Sequence, residues 1–133
     1  MENKIILMSH GMMAKEMLNS AKMILGDQID YPVVCMSPND GIDGTKYKLT
    51  KILEQITGNE KIIIMADLMG GTPANVASME ALSDSRINVI TGMNLGMILE
   101  SFFSLKEESL EEKLMEIGIQ GIMKPQVQAI DDE

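Results

Sequence analysis

The chain has 133 residues, 45% of them hydrophobic, with one cysteine and a formal charge of -9, which suits one domain with a core large enough to need no staples. Twenty acidic against eleven basic residues repel phosphodiester backbones, and no apolar run approaches the roughly 18 residues read as a membrane span. Nucleic-acid binding and direct membrane insertion are therefore not expected. The N-terminus lacks a signal-peptide pattern, and the lone Cys35, in the apolar run Val33-Val34-Cys35-Met36, reads as a small buried side chain; a cytoplasmic setting is the expectation.

Short β-rich runs alternate with helical periods, the pattern of parallel strands joined by crossover helices. Strands are predicted near Lys4 to Met8, Pro32 to Met36, Lys61 to Ala66 and Ile87 to Thr91. A first helix, Met13 to Leu25, closes at Gly26 as its C-cap; Met13, Met17 and Met23 share a face with Ala21 and Ile24 and read as core filler. A second, Thr45 to Ile56, lays Leu49, Ile52, Leu53 and Ile56 on one face and ends before Gly58. Pro73 to Leu82 forms a third, and Leu95 to Leu105 and Leu110 to Ile117 follow the fourth strand. From Gly118 to Gln128 the chain reads as extended, and Pro125 there favours an edge or exchanged strand. Residues 129–133 read as a solvated tail.

In such sheets chemistry collects beyond the carboxyl ends of the strands, where the strand order reverses. Three loops qualify: Ser9-His10-Gly11, Asp67 to Pro73, and Gly92 to Met97. With the order 2-1-3-4 the first and third strands are neighbours, so the only histidine, His10, shares a crevice with Asp67. A carboxylate accepting the Nδ1 proton fixes the tautomer that leaves Nε2 free as a nucleophile, and stabilises positive charge on the ring once Nε2 takes an electrophile. Thr72 followed by Pro73 reads as an N-cap and first helical residue, so free backbone N–H groups face the crevice as an anion site. Gly70 and Gly71 admit close backbone approach, and the Thr72 hydroxyl adds a donor. Met12 and Met69 flank these loops as soft apolar docking candidates, and Asn94 is either a rim residue or a cap for the following helix.

Each part alone has a plainer reading: a histidine bonded to nearby backbone, an aspartate in an Asx turn, a glycine pair in a tight turn. Their convergence on one rim favours phosphoryl transfer through a phosphohistidine. No metal-ligand spacing occurs and no cofactor is expected. A receiver-like regulatory module needs an acidic pair after the first strand, where Ser9-His10 stands, and no G-x-G-x-x-G marks a dinucleotide site.

The S-H-G at His10, the D-L-M-G-G-T-P of Asp67 to Pro73 and the G-M-N-L-G-M of Gly92 to Met97 resemble the enzyme IIA domain of the mannose (mannose/fructose/sorbose) class of the bacterial phosphoenolpyruvate-dependent sugar phosphotransferase system. The resemblance spans nearly the whole chain, taken as a single IIA domain over 1–133. Gly96 and Met69 depart from it, standing where family members commonly carry proline and an aromatic residue. It implies that His10 takes a phosphoryl group from the phosphocarrier HPr and passes it to a histidine of enzyme IIB. Asp67 would then be the imidazole partner, with Gly71 and Thr72 beside the phosphoryl group. It also implies a doubly wound α/β sheet of four parallel strands and a homodimer that exchanges a fifth, antiparallel strand, here 119–128. A related phosphocarrier subunit feeding dihydroxyacetone kinase looks similar around the histidine, but the intact G-G-T-P loop favours the sugar-transport class.

Overall fold

The apolar runs of the first and third strands have no polar alternation, as strands covered on both faces require. In the computed structural model, which describes residues 1–127, they form β1 (Lys4–His10) and β3 (Ile62–Ala66) at the centre of the sheet. β2 (Val33–Met36) and β4 (Ile87–Ile90) are its edges, and the order β2-β1-β3-β4 is parallel throughout, as predicted. Alternation along the strands divides the core. Ile5, Leu7, Ile63 and Met65 face α1 (Met13–Leu25), α4 (Leu95–Phe103) and α5 (Leu110–Gln120). Ile6, Met8, Ile62 and Ile64 face α2 (Gly41–Leu53) and α3 (Thr72–Ala81). The fold is thus a doubly wound α/β sheet with helices on both faces.

Four sequence expectations need correction. The buried stripe of α1 is Ala14, Leu18 and Ala21, whereas Met13, Met23 and Ile24 are exposed. Met23 follows Ala14 by two and a half turns at about 3.6 residues each, which places it on the opposite face; of the three methionines only Met17 packs against the core. Cys35 is half-buried because β2 is an edge strand. The second helix begins a turn earlier than Thr45, at Gly41, and regular helix ends at Leu53. Ile56 still reaches the core through a tighter turn in which its N–H donates to the Leu53 carbonyl.

The fourth correction is at the C-terminus. Helix α5 continues through Gln120, so residues 118–120 are helical rather than extended. Gly118, where the extended segment was expected to begin, is a packing glycine within the helix: a Cβ there would lie 2.8 Å from Met97 Sδ, so its bareness lets α5 lie against α4. Residues 122–127 carry no regular secondary structure within the single chain. Gln128 and the predicted tail 129–133 lie outside the described residues.

Burial separates the two readings of α1. Leu18→Ala, at a site 1% exposed, is expected to cost about 2–5 kcal/mol. Met23→Ala, at a site 91% exposed, should stay within about 0.5 kcal/mol. Urea unfolding of both variants measures the contrast, and equal losses would contradict the helix register.

Candidate functional site

His10 closes β1, in register with Met36 of β2, and the chain then turns through Gly11, whose φ of 54° suits glycine. The turn is pinned from below by Ser9, a fully buried residue. Its hydroxyl accepts the Ala14 N–H at 2.7 Å, supplying an acceptor to the first turn of α1, and donates to the Gly11 carbonyl at 3.2 Å. The Gly11 N–H in turn donates to Met36 O at 2.8 Å. Strand end, turn and helix start are therefore one hydrogen-bonded unit with His10 in the middle.

Asp67 follows β3, the strand beside β1, and its N–H donates to the Met8 carbonyl at 3.2 Å. One carboxylate oxygen, Oδ2, accepts the His10 backbone N–H at 2.9 Å and stands 2.8 Å from His10 Nδ1. The Asp67 side chain is only 8% exposed, whereas that of His10 is 44% exposed. The pair thus has a sheltered acceptor and an accessible ring. With Nδ1–H directed to the carboxylate, Nε2 carries the lone pair. The other carboxylate oxygen, Oδ1, is buried and has no hydrogen-bond partner.

The loop from Asp67 turns at Gly70, whose φ of 83° again requires glycine. It is braced by Asn75, whose Nδ2 donates to the Gly70 carbonyl at 3.2 Å. Gly71 is the N-cap of α3, with Thr72 first and Pro73 second in the helix, so the expected cap role of Thr72 is not met. The cap makes no side-chain hydrogen bond. The first helical bond runs from the Asn75 N–H to the Gly71 carbonyl. The Thr72 and Ala74 amides precede it without a helical acceptor, and Pro73 has no N–H to leave unsatisfied. The His10 ring lies directly on Gly71: a Cβ there would come within 2.6 Å of Cε1 and 3.4 Å of Nε2. The positive end of the α3 dipole consequently starts beside the ring edge that bears Nε2.

Met12 and Met69 stand exposed around this rim, 60% and 80% accessible, with Leu68 at 58%. Asn94 is turned into the fold: its Oδ1 accepts the Met97 N–H at 3.1 Å as the cap of α4, and its Nδ2 donates to Gly118 O at 3.1 Å. The sequence reading left out Ser9 as a brace, Asn75, and the loop after β2. Ser9 offered a usable signal, a hydroxyl residue at a strand end shortly before a helix; the other two depend on contacts that no spacing rule announces.

Among the described residues no three His, Cys, Asp or Glu side chains group in a way that could hold a metal ion. No helix among them is long and apolar enough to cross a membrane.

Comparison with known proteins identifies the family and the fold. The family model described as "PTS system fructose IIA component" matches residues 4–117. The solved mannose/sorbose-specific IIA subunit of the phosphotransferase system from Enterococcus faecalis is similar at a TM-score of 0.89 and 39% identity, covering 98% of this chain and 100% of that one. The fructose-specific EIIA component of Bacillus subtilis (strain 168) is 29% identical over 103 residues, 77% of this chain and 70% of that protein. The mannose-specific EIIAB component of Escherichia coli (strain K12) is 23% identical over 116 residues, 87% of this chain. This chain spans 36% of the length of that relative. With a family model matched from the first strand into the last helix, the chain belongs to the mannose/fructose/sorbose class of phosphotransferase-system IIA components.

Proposed function

We propose that this chain is a phosphoryl carrier that accepts a phosphoryl group on His10 Nε2 from phosphorylated HPr and passes it to a histidine of enzyme IIB, for coupled sugar uptake and phosphorylation. The observation that carries the reading is the contact of Asp67 Oδ2 with His10 Nδ1 at 2.8 Å, beneath a ring that remains 44% exposed. In the transfer, the Nε2 lone pair attacks phosphorus as the donor's P–N bond breaks, and that electron pair returns to the donor nitrogen. The His10 ring then carries positive charge shared with Nδ1–H, which the Asp67 carboxylate faces. Discharge runs the same steps in reverse, with the acceptor imidazole as nucleophile and His10 as leaving group.

The phosphoryl oxygens are received at the start of α3, by the Thr72 and Ala74 amides and the Thr72 hydroxyl, where the backbone at Gly70 and Gly71 carries no side chain to obstruct them. The exposed Met12 and Met69 offer apolar contact to the docking proteins. No metal or other cofactor enters these steps, and the reading places the chain in the cytoplasm with HPr. The same reading makes the protein a homodimer in which the segment after α5 pairs with the partner's sheet edge. Support comes from Ile122, Met123 and Val127, which are 81%, 75% and 99% exposed in the single chain, and from β4, an edge strand with unpaired backbone groups.

Incubation with phosphoenolpyruvate, enzyme I and HPr should load one acid-labile, base-stable phosphoryl group per subunit, and His10→Ala should abolish this while leaving the melting temperature near that of the parent; label on any other residue would refute the reading. Asp67→Asn, which retains shape but loses the charge and the fixed tautomer, should slow transfer by about 10²-fold or more. Gly71→Ala, tolerable at a φ of -77°, should displace the ring and cost on the order of 10²-fold by misplacement alone. Stopped-flow or quench measurements of phosphoryl transfer check both. Deleting residues 122–133 should convert a dimer to a monomer in sedimentation analysis, and an unchanged mass would remove the exchanged strand.

A further inference from the structure

The register of β1 with β2 sets Met36 beside His10, so the chain that leaves β2 passes next to the histidine. This segment, Ser37-Pro38-Asn39-Asp40, forms a fourth loop on the functional rim, and Ser37, Pro38 and Asn39 are exposed. Its only backbone hydrogen bond within itself runs from the Asp40 N–H to the Ser37 carbonyl at 3.0 Å. Such a loop would be free to move if nothing else tied it.

Lys48, reaching back from two turns into α2, ties it. Its ammonium donates to the Cys35 carbonyl at 2.9 Å, the Ser37 hydroxyl at 3.4 Å and Asp40 Oδ2 at 2.6 Å. An ammonium has three protons, and each has an acceptor on a different part of the turn: the strand end, the loop and the helix start. Asp40 Oδ2 also accepts the Ser37 N–H at 2.7 Å, which closes the ring of contacts. The Lys48 and Ser37 hydrogen bonds hold the Asp40 carboxyl below the ordinary carboxylate range, so the clasp is intact at neutral pH. Neither residue hydrogen-bonds to His10 or Asp67, and an isolated surface ion pair on its own contributes little to stability. The clasp fixes a shape more than it adds stability.

We infer that Lys48 is a positioning residue: through Asp40 and Ser37 it braces the β2–α2 loop as the wall, beside His10, against which a phosphorylated partner protein docks. This rests on the carrier function proposed above, and it adds a docking determinant in a loop that supplies no reacting group. A wall that only orients the partner acts on encounter, so its loss raises KM and spares kcat.

The test uses the full chain with phosphorylated HPr as the titrated donor. Lys48→Met is expected to raise KM about fivefold with kcat changed less than about twofold, and to speed hydrogen exchange at the Ser37 and Asp40 amides. Lys48→Arg should recover most of the loss. An unchanged KM in Lys48→Met, with the unsubstituted chain active, overturns this inference alone. So does a fall in kcat accompanied by faster exchange throughout the core, which would mark a general structural role. A parent chain that accepts no phosphoryl group overturns the carrier reading and this inference with it.

Discussion

One carboxylate oxygen holds His10 at two points. Asp67 Oδ2 accepts the main-chain N–H of His10 and faces its ring Nδ1, at 2.9 and 2.8 Å. Contact at the ring alone would leave the imidazole free to swing with its side chain; contact at both ends fixes the ring relative to its own backbone. The geometry exists only because β1 and β3 are hydrogen-bonded neighbours, which brings together residues 57 positions apart. Much else on the rim refers to that placement: the ring is held against Gly71, so the start of α3 lies beside the edge that bears Nε2.

The sheet order, the four strands and the partnership of His10 with Asp67 were legible in the sequence for a common reason. Each follows from period and topology: unbroken apolar runs for central parallel strands, and crossover helices that fix which loops share a rim. What was misread depends on packing between elements. Gly118 looks like a helix end by propensity, but it is retained because Met97 occupies the space a side chain would fill. The methionines of α1 are apolar by composition, yet the face that turns inward is Ala14, Leu18 and Ala21, with two alanines whose small size lets the helix approach the sheet. Thr72 next to Pro73 suggested a cap, and the cap proved to be the glycine before it, whose main duty is to leave room for an imidazole. The Lys48 clasp was invisible because its acceptors include a main-chain carbonyl, which no residue pattern encodes.

The two ends of the sheet divide their work. At the amino ends of the strands most charged groups are spent on one another, although Glu60 Oε2, just before β3, is buried without a hydrogen-bond partner. Arg86 donates to the Ile56 and Gly58 carbonyls and forms an ion pair with Asp84 at 2.7 Å. That contact holds the Asp84 carboxyl below its ordinary range, so the pair persists through neutral pH and is lost only as acid protonates the carboxylate. Lys61 likewise joins Glu111 of α5 and the Glu108 carbonyl. Tyr31, whose hydroxyl is bonded to Ser101 and whose pKa burial pushes up to about 12, ties the chain before β2 to α4.

At the carboxyl ends the same fold leaves groups uncommitted. An imidazole edge is open, the amides at the start of α3 lack helical acceptors, and Asp67 Oδ1 is buried without a partner. A buried acceptor left unsatisfied costs on the order of 1–3 kcal/mol, and open amides forgo bonds that a capping side chain at Gly71 would supply. Such a rim is stable only because the opposite end and the two-sided core fix the strands that carry it. A Ser, Asp or Asn at position 71 would cap α3 better, but its Cβ would collide with the histidine ring. The glycine there records that choice: the helix start goes without a capping side chain so that the imidazole can lie against it.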